Sequence, residues 1–301
     1  MAISFRSARS AAVRFASVAA LLALMVPHAP ASAQRANLSK VDPNAPVVLQ
    51  PHRAVYDFSL GSARTEKSVT SLSGRMVYEF TGSTCEGWSQ TMRFVTRTTA
   101  AVGASSLSDQ RTTSWEDHAA TRLRFSSSQY RDQKLIEQSG GTAMRGANES
   151  DDIKIALTHP DKKASAVTGS AMFPIQHSVK MLEAARRGRT SFTADFYDGA
   201  DGGEKIYIVT AQIGKQMPAN FNRTLPRAGQ ADKLDSVQAW PMQLSYYEPG
   251  NDTKDALPAY EMSFVFFANG VSRRLVIDNG EYTMKGELTE FSTIDPLPCK
   301  K

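Results

Sequence analysis

Two cysteines, Cys85 and Cys299, and a set of widely spaced histidines are the residues of this 301-residue chain with the broadest chemical options. A thiol can serve as nucleophile, metal ligand or half of a disulfide, and its neighbours and redox compartment decide which. The cysteines form no Cys-x-x-Cys pair, and His52, His118, His159 and His177 stand singly, with no His-Glu-x-x-His run. A lone histidine is read as a hydrogen-bonded surface or core residue before it is read as a ligand. Gly-x-Ser-x-Gly, Ser-x-x-Lys and Gly-x-x-x-x-Gly-Lys are also missing from the sequence. Cys85 and His118 could be drawn as thiol and base, but oxidation to a disulfide would consume the nucleophile. Asp198, Asp201 and Glu204 lie among glycines and invite a calcium reading. Their spacing misses the alternate ligand positions of an EF-hand loop and suits a plain hairpin turn. The expectation is a protein that is not an enzyme, with no catalytic residues, metal ligands or cofactors to name and its ligand-binding residues unknown.

The elements that would position these residues begin after a leader. Arg6, Arg9 and Arg14 precede an apolar run over 15–26, and Ala31-Ser32-Ala33 closes it, the pattern of a secretory signal peptide over 1–33. The run is short for a bilayer span, and no cysteine follows the expected cleavage point to carry a lipid. No transmembrane segment is expected in the mature chain, which would begin near Gln34. Discarding three arginines and no acids lowers the formal charge from +5 to +2, which removes the case for nucleic acid as a partner. An oxidising compartment favours one disulfide from the two exported cysteines. It would close a loop of roughly 214 residues, for which the chain-entropy estimate is about 5 kcal/mol. The alternative is two unpaired, buried thiols.

Residues 34–51 carry Pro43, Pro46 and Pro51 and read as a flexible N-terminal arm, because proline withholds donors from a ladder. The body over 52–301 is expected to be one domain. Ala54, Tyr56, Phe58 and Leu60 fall on one face with Val55, Asp57 and Ser59 opposite, a strand signature. Residues 74–97 read as a hairpin with Cys85 at its bend, flanked by Gly82 and Gly87. A polar turn is expected over 103–110, strands at 112–115 and 122–125, a break at Gly140-Gly141 and a strand at 153–157. One helix is expected from His177 or Ser178 to Arg187, with Ser178 as cap, Gly188 as stop and a stripe of Val179, Leu182 and Ala185. Strands follow at 191–197, 205–213, 237–247 and 260–267, and Asn269-Gly270 and Asn279-Gly280 mark hairpin turns. Residues 214–235 lack periodicity and read as disordered. Val265-Phe266-Phe267 and Ile206 to Val209 are apolar on both strand faces. A curved sheet wrapping a helix, or a half-open barrel around an apolar cavity, would need that. Two packed layers without a cavity remain the alternative.

HRAVYDFSL (52–60), GRMVYEFTGSTCEGW (74–88), TTSWED (112–117), FPIQHSVKMLEAARRG (173–188), YDGADGGEKIY (197–207) and the closing run to Cys299 resemble the EipB cell-envelope-integrity proteins of Alphaproteobacteria. The resemblance implies a mainly β periplasmic protein: a single antiparallel curved sheet, a spiral or half-open barrel similar to LolA-type lipoprotein carriers, with one or two helices. It implies a closing disulfide between Cys85 and Cys299. It also implies a role in envelope integrity and stress resistance, with a periplasmic TPR-repeat protein as partner and no enzymatic activity. The expected function is binding or scaffolding, with a lipid or a lipoprotein acyl chain in an apolar cavity as a further possibility; an envelope hydrolase is the remote alternative.

Overall fold

Period-two alternation of apolar and polar residues runs through most of the chain, and it produces a single antiparallel sheet in which most strands turn one face inward. The structure, a computed structural model, describes residues 42–64, 69–101, 103–146, 148, 151–167, 171–250 and 257–299. The expected signal peptide and the first part of the arm lie outside the described residues. Among the described residues there are fourteen strands. The first eight are β1 (His52–Ala63), β2 (Val69–Ser83), β3 (Gly87–Ala100), β4 (Ser105–Glu116), β5 (Arg122–Arg131), β6 (Lys134–Arg145), β7 (Ile153–His159) and β8 (Lys163–Val167). A helix, α1 (Pro174–Arg186), follows. The rest are β9 (Ser191–Phe196), β10 (Tyr207–Ile213), β11 (Ala239–Tyr247), β12 (Tyr260–Phe267), β13 (Ser272–Asp278) and β14 (Tyr282–Thr293).

Each half of the chain is a meander, and the halves meet where β1 pairs with β14 as well as with β2. The rims of the sheet are therefore β8 and β9, and α1 carries the chain from one to the other. Among the described residues no ladder joins β8 to β9, and the segment before α1 meets β9 through one parallel bridge, Met172 to Phe196. Inward residues such as Ala54, Tyr56 and Phe58 of β1 and Met242 and Leu244 of β11 share one buried cluster with Met181 and Leu182 of α1. The curved sheet wrapping a helix is thus the arrangement found. A second cluster joins Leu123 and Phe125 of β5, Ala143 of β6 and Ile153, Ile155 and Leu157 of β7 to Phe173 and Tyr197.

Several expectations are corrected. Most of 103–110 belongs to β4, held on both sides, with Asp109 bridging Arg93 (2.9 Å) and Arg111 (2.7 Å). β6 runs through Gly140-Gly141 with a register shift between them, and a Cβ at Gly141 would sit 2.5 Å from the Ala156 carbonyl. The glycines permit close strand approach instead of ending the strand. The helix starts a turn earlier than expected, because Pro174 occupies its first position, where a missing N–H costs nothing. Ser178 is interior, donating from Oγ to the Pro174 carbonyl at 2.9 Å.

Residues 214–235 are also not as expected. They form two short 3-10 turns, Phe221–Thr224 and Ala231–Leu234, and bury Ala228, Ala231 and Leu234. Arg273, 2 % exposed, anchors them by donating to Asn222 Oδ1 (2.6 Å) and the Pro226 carbonyl (2.7 Å). It sits opposite Val265, and a bulge with Arg274 at φ 57° lets Arg273 face outward while Ser272 and Leu275 line the interior. The outer apolar residues Val265 and Phe267 are buried along with this segment, which accounts for the two-sided apolar character of β12. The arm does not hang free over its described end: Leu49 is buried, Gln50 N donates to the Asn269 carbonyl at 2.9 Å, and Arg186 Nη1 donates to the Ala45 and Pro46 carbonyls.

Candidate functional site

Cys85 and Cys299 are joined in a disulfide, with Cα atoms 5.6 Å apart, at the bend between β2 and β3. The C-terminal segment also reaches that bend through the backbone, Leu297 N donating to the Gly82 carbonyl at 3.1 Å. Neither cysteine lines the interior space that is the candidate site.

That space is bounded on one side by α1, and its position is set by a carboxylate from across the sheet. Glu116, the last residue of β4, is 3 % exposed and accepts hydrogen bonds from the amides of Ile175 (2.7 Å) and Gln176 (2.9 Å). These are donors in the first turn that the helix cannot satisfy itself. Burial pushes the Glu116 carboxyl up to about 7, against the two amide bonds that favour its charge. At the other end, Arg186 Nη2 donates to the Ala268 carbonyl at 3.2 Å, fixing the helix to the turn after β12.

Between α1 and the inner face of the sheet lies a cavity of about 300 Å³. Its walls are largely apolar, with Phe264 and Phe266 of β12, Leu275 and Ile277 of β13, and Met76, Met92, Met181 and Met262 from four different elements. Unbranched methionines conform to irregular shapes, so the wall is adaptable. Among the described residues lining the cavity there is no Asp, Glu, Lys or Arg.

The polar groups on the wall are few and nearly all engaged. Tyr56 donates to the Ser272 carbonyl at 2.8 Å, and Gln90 Nε2 donates to the Tyr78 hydroxyl at 2.9 Å. Burial pushes the Tyr78 phenol up to about 12. His52 Nδ1 lies 2.7 Å from the Gln50 carbonyl, and burial holds this imidazole below its usual range. His177 differs. It is 2 % exposed, packs its ring 5.2 Å from Phe196 and 5.5 Å from Phe192, and its Nε2 has no hydrogen-bond partner among the described residues. Burial alone lowers its pKa to about 4, so the ring is neutral at physiological pH.

The singly spaced histidines therefore part company in the fold: His52 and His177 share one cavity wall, while His118 and His159 are exposed. The acids of the 198–204 loop are committed locally. Asp198 Oδ1 accepts from Ala200 N (2.9 Å), Asp201 accepts from the Tyr207 hydroxyl and Glu204 pairs with Lys163 (2.8 Å). Among the described residues no three His, Cys, Asp or Glu side chains gather as a metal site, and no helix is long and apolar enough to cross a membrane. The role of His177 was legible only through helix phase: His177, Met181 and Ala184 fall at i, i+4 and i+7 on the face that is buried.

The profile of the EipB-like family matches residues 43–295. The chain is similar to the cell envelope integrity protein EipB of Brucella abortus (strain 2308), 30% identical over 251 residues, covering 83% of this chain and 86% of the relative. It is also similar in structure to a β-barrel-like protein of the domain of unknown function DUF1849 from Brucella abortus. There the TM-score is 0.73 at 29% identity, over 83% of this chain and 100% of that one. With most of its sheet, its helix and both bonded cysteines inside or beside the matched span, the chain belongs to the EipB-like family.

Proposed function

We propose that this chain is an exported, non-enzymatic protein of the periplasm that supports envelope integrity by holding one linear apolar chain between α1 and the sheet. The observation that carries the reading is the cavity. Protein interiors are close-packed, with few voids larger than a water molecule. A partly open apolar space of about 300 Å³ leaves its wall facing water, at a cost of roughly 25 cal/mol per Å² of apolar surface. An occupant that fills it offsets that cost. The space is at the small end of ligand pockets, and its methionine-rich, charge-free wall suits a flexible hydrocarbon better than a rigid polar metabolite.

Export and periplasmic residence are supported by the leader pattern over 1–33, by the disulfide, which persists only where thiols are oxidised, and by the envelope role given to the relative in Brucella abortus. Protein purified from the periplasm of its own cells, with a mass corresponding to a start near Gln34, is expected to release an acyl compound into organic solvent and to bind diphenylhexatriene once stripped. No extractable amphiphile and no probe binding would remove the ligand-holding part of the reading.

A further inference from the structure

At the C-terminal end of α1 a pocket of about 610 Å³ opens to the surface, and its walls carry charge of one sign. Arg186 and Arg189 come from the end of the helix and the turn after it, and Lys215 from the segment that follows β10. Among the described residues lining the pocket there is no Asp or Glu. Arg186 is held by its bonds to the Ala45, Pro46 and Ala268 carbonyls, none of which carries a charge. Arg189 and Lys215 are exposed and form no ion pair among the described residues. Thr190, Gln216 and Gln238 add neutral hydrogen-bonding groups to the wall.

The acids on adjoining segments are engaged outside the pocket. Glu183 of α1 meets Lys180 (3.6 Å) and Arg187 (3.7 Å), and Asp42 accepts from the Asn44 amide at 2.9 Å. The negative end of the helix dipole amounts to about half a charge. The carbonyls of Glu183, Ala184 and Ala185 that express it already accept from the amides of Arg187, Arg189 and Gly188. Three cations outweigh it. A cleft walled by one sign of charge focuses its field and concentrates counter-ions of the other sign.

We propose that this pocket binds a phosphate monoester, with Arg186 and Arg189 offering guanidinium forks and Lys215 a point charge. Such a group carries about two charges and has three acceptor oxygens, which suits three separate donors better than a planar carboxylate does. The site does not depend on whether the cavity holds a chain, but the two spaces adjoin. Ala185 of the pocket lies one helical turn beyond Met181 of the cavity wall, and Trp240 of the pocket pairs with Phe266 of the cavity wall. A lipid headgroup and a soluble phosphate ester share this chemistry, and the experiment separates them.

The test uses the full mature protein at about pH 8, where glycerol 3-phosphate and succinate both carry about two charges. Titration with each is followed at the amide resonances of Gly188 and Gly214, which line the pocket. Sedimentation measures binding to phosphatidylcholine vesicles with and without phosphatidic acid. The wild type is expected to prefer the phosphate over succinate by about fivefold or more and to lose affinity as salt is added. Arg189→Gln combined with Lys215→Gln is expected to weaken phosphate binding by about tenfold. Both side chains are exposed, so the variant folds, and its diphenylhexatriene binding matches wild type. Arg131→Gln on β5, outside the pocket, is expected to change nothing. Binding to phosphatidic acid vesicles without binding of glycerol 3-phosphate assigns the group to a lipid head, and the reverse assigns it to a soluble ester. Equal affinity for succinate, undiminished binding by the double variant, or no binding of either phosphate probe overturns the inference. Each of those results leaves the cavity reading standing, since diphenylhexatriene reports on it separately.

Discussion

One sheet encloses two interiors that differ in how completely they are finished. In the smaller one, Phe125, Leu123 and Leu157 close on Phe173 and Tyr197, and the Phe125 and Tyr197 rings meet edge to face at 5.9 Å. Gly199 approaches Phe125 so closely that a Cβ there would lie 2.3 Å from the ring. Several of its polar groups are matched: Ser139 Oγ donates to the Gly199 carbonyl (2.7 Å), Tyr197 to the Gly203 carbonyl (2.6 Å) and Arg145 Nη2 to the Ala171 carbonyl (2.5 Å). The larger interior, around α1, keeps a space of about 300 Å³ and an unmatched His177 Nε2. The first interior behaves as a clasp between the rims of the sheet. The second has the properties of a receptacle, and the contrast exists within one chain under the same packing rules.

The largest expected effect tests whether the two interiors are one cooperative unit. Cys85→Ser removes a link of sequence separation 214 and is expected to lower stability by up to about 5 kcal/mol, read by denaturant unfolding. If the unit is single, hydrogen exchange speeds up alike for amides beside Phe125 and beside Leu244. Loss of protection in one interior alone would separate them.

A smaller effect, on the order of 3 kcal/mol per group, concerns titration on the receptacle side. Glu116 has its folded pKa raised from 4.5 to about 7, so its contribution is fully present below 4.5 and is lost as pH rises through about 7. His177 has its folded pKa lowered from 6.5 to about 4, so its contribution is present above 6.5 and is lost as pH falls toward about 4. The two slopes oppose each other between 4.5 and 6.5. Glu116→Gln is expected to leave only the acid-side loss in a series of melting curves, and an unchanged pH profile in that variant would remove the carboxyl from this account.

The smallest effect adds bulk to each interior. Ala143→Leu in the clasp is expected to cost about 1–3 kcal/mol by overpacking, while Leu244→Phe on the cavity wall stays within about 1 kcal/mol of wild type. Equal penalties would mean that the cavity is no roomier than the clasp.

Much of this fold was legible. Alternation at Ala54 to Leu60 and at Trp240 to Tyr246, and the Asn-Gly turns, mark strands because both signals are local. The misreadings share a cause, which is that the deciding partner is distant in sequence. The helix start depends on Glu116, 59 residues before Ile175. The segment over 214–235 looked disordered because its order comes from Arg273, which is buried beneath it and donates to Asn222, 51 residues away. Gly140-Gly141 looked like a break because nothing nearby reveals the strand lying against them. The receptacle was legible only as two-sided apolar strands; the meeting of His52 and His177 on its wall is a product of the fold.

The seam at the middle of the sheet has a consequence for how the molecule comes into being. Val55 lies beside Glu290, so the first strand cannot acquire its second neighbour until the last strand has been made and delivered. A polypeptide threaded through a pore head first would present β1 as an unguarded edge for nearly the whole of its passage, the kind of edge that recruits stray strands. In any delivery that runs from the first residue to the last, that edge is covered only by the final strand to appear.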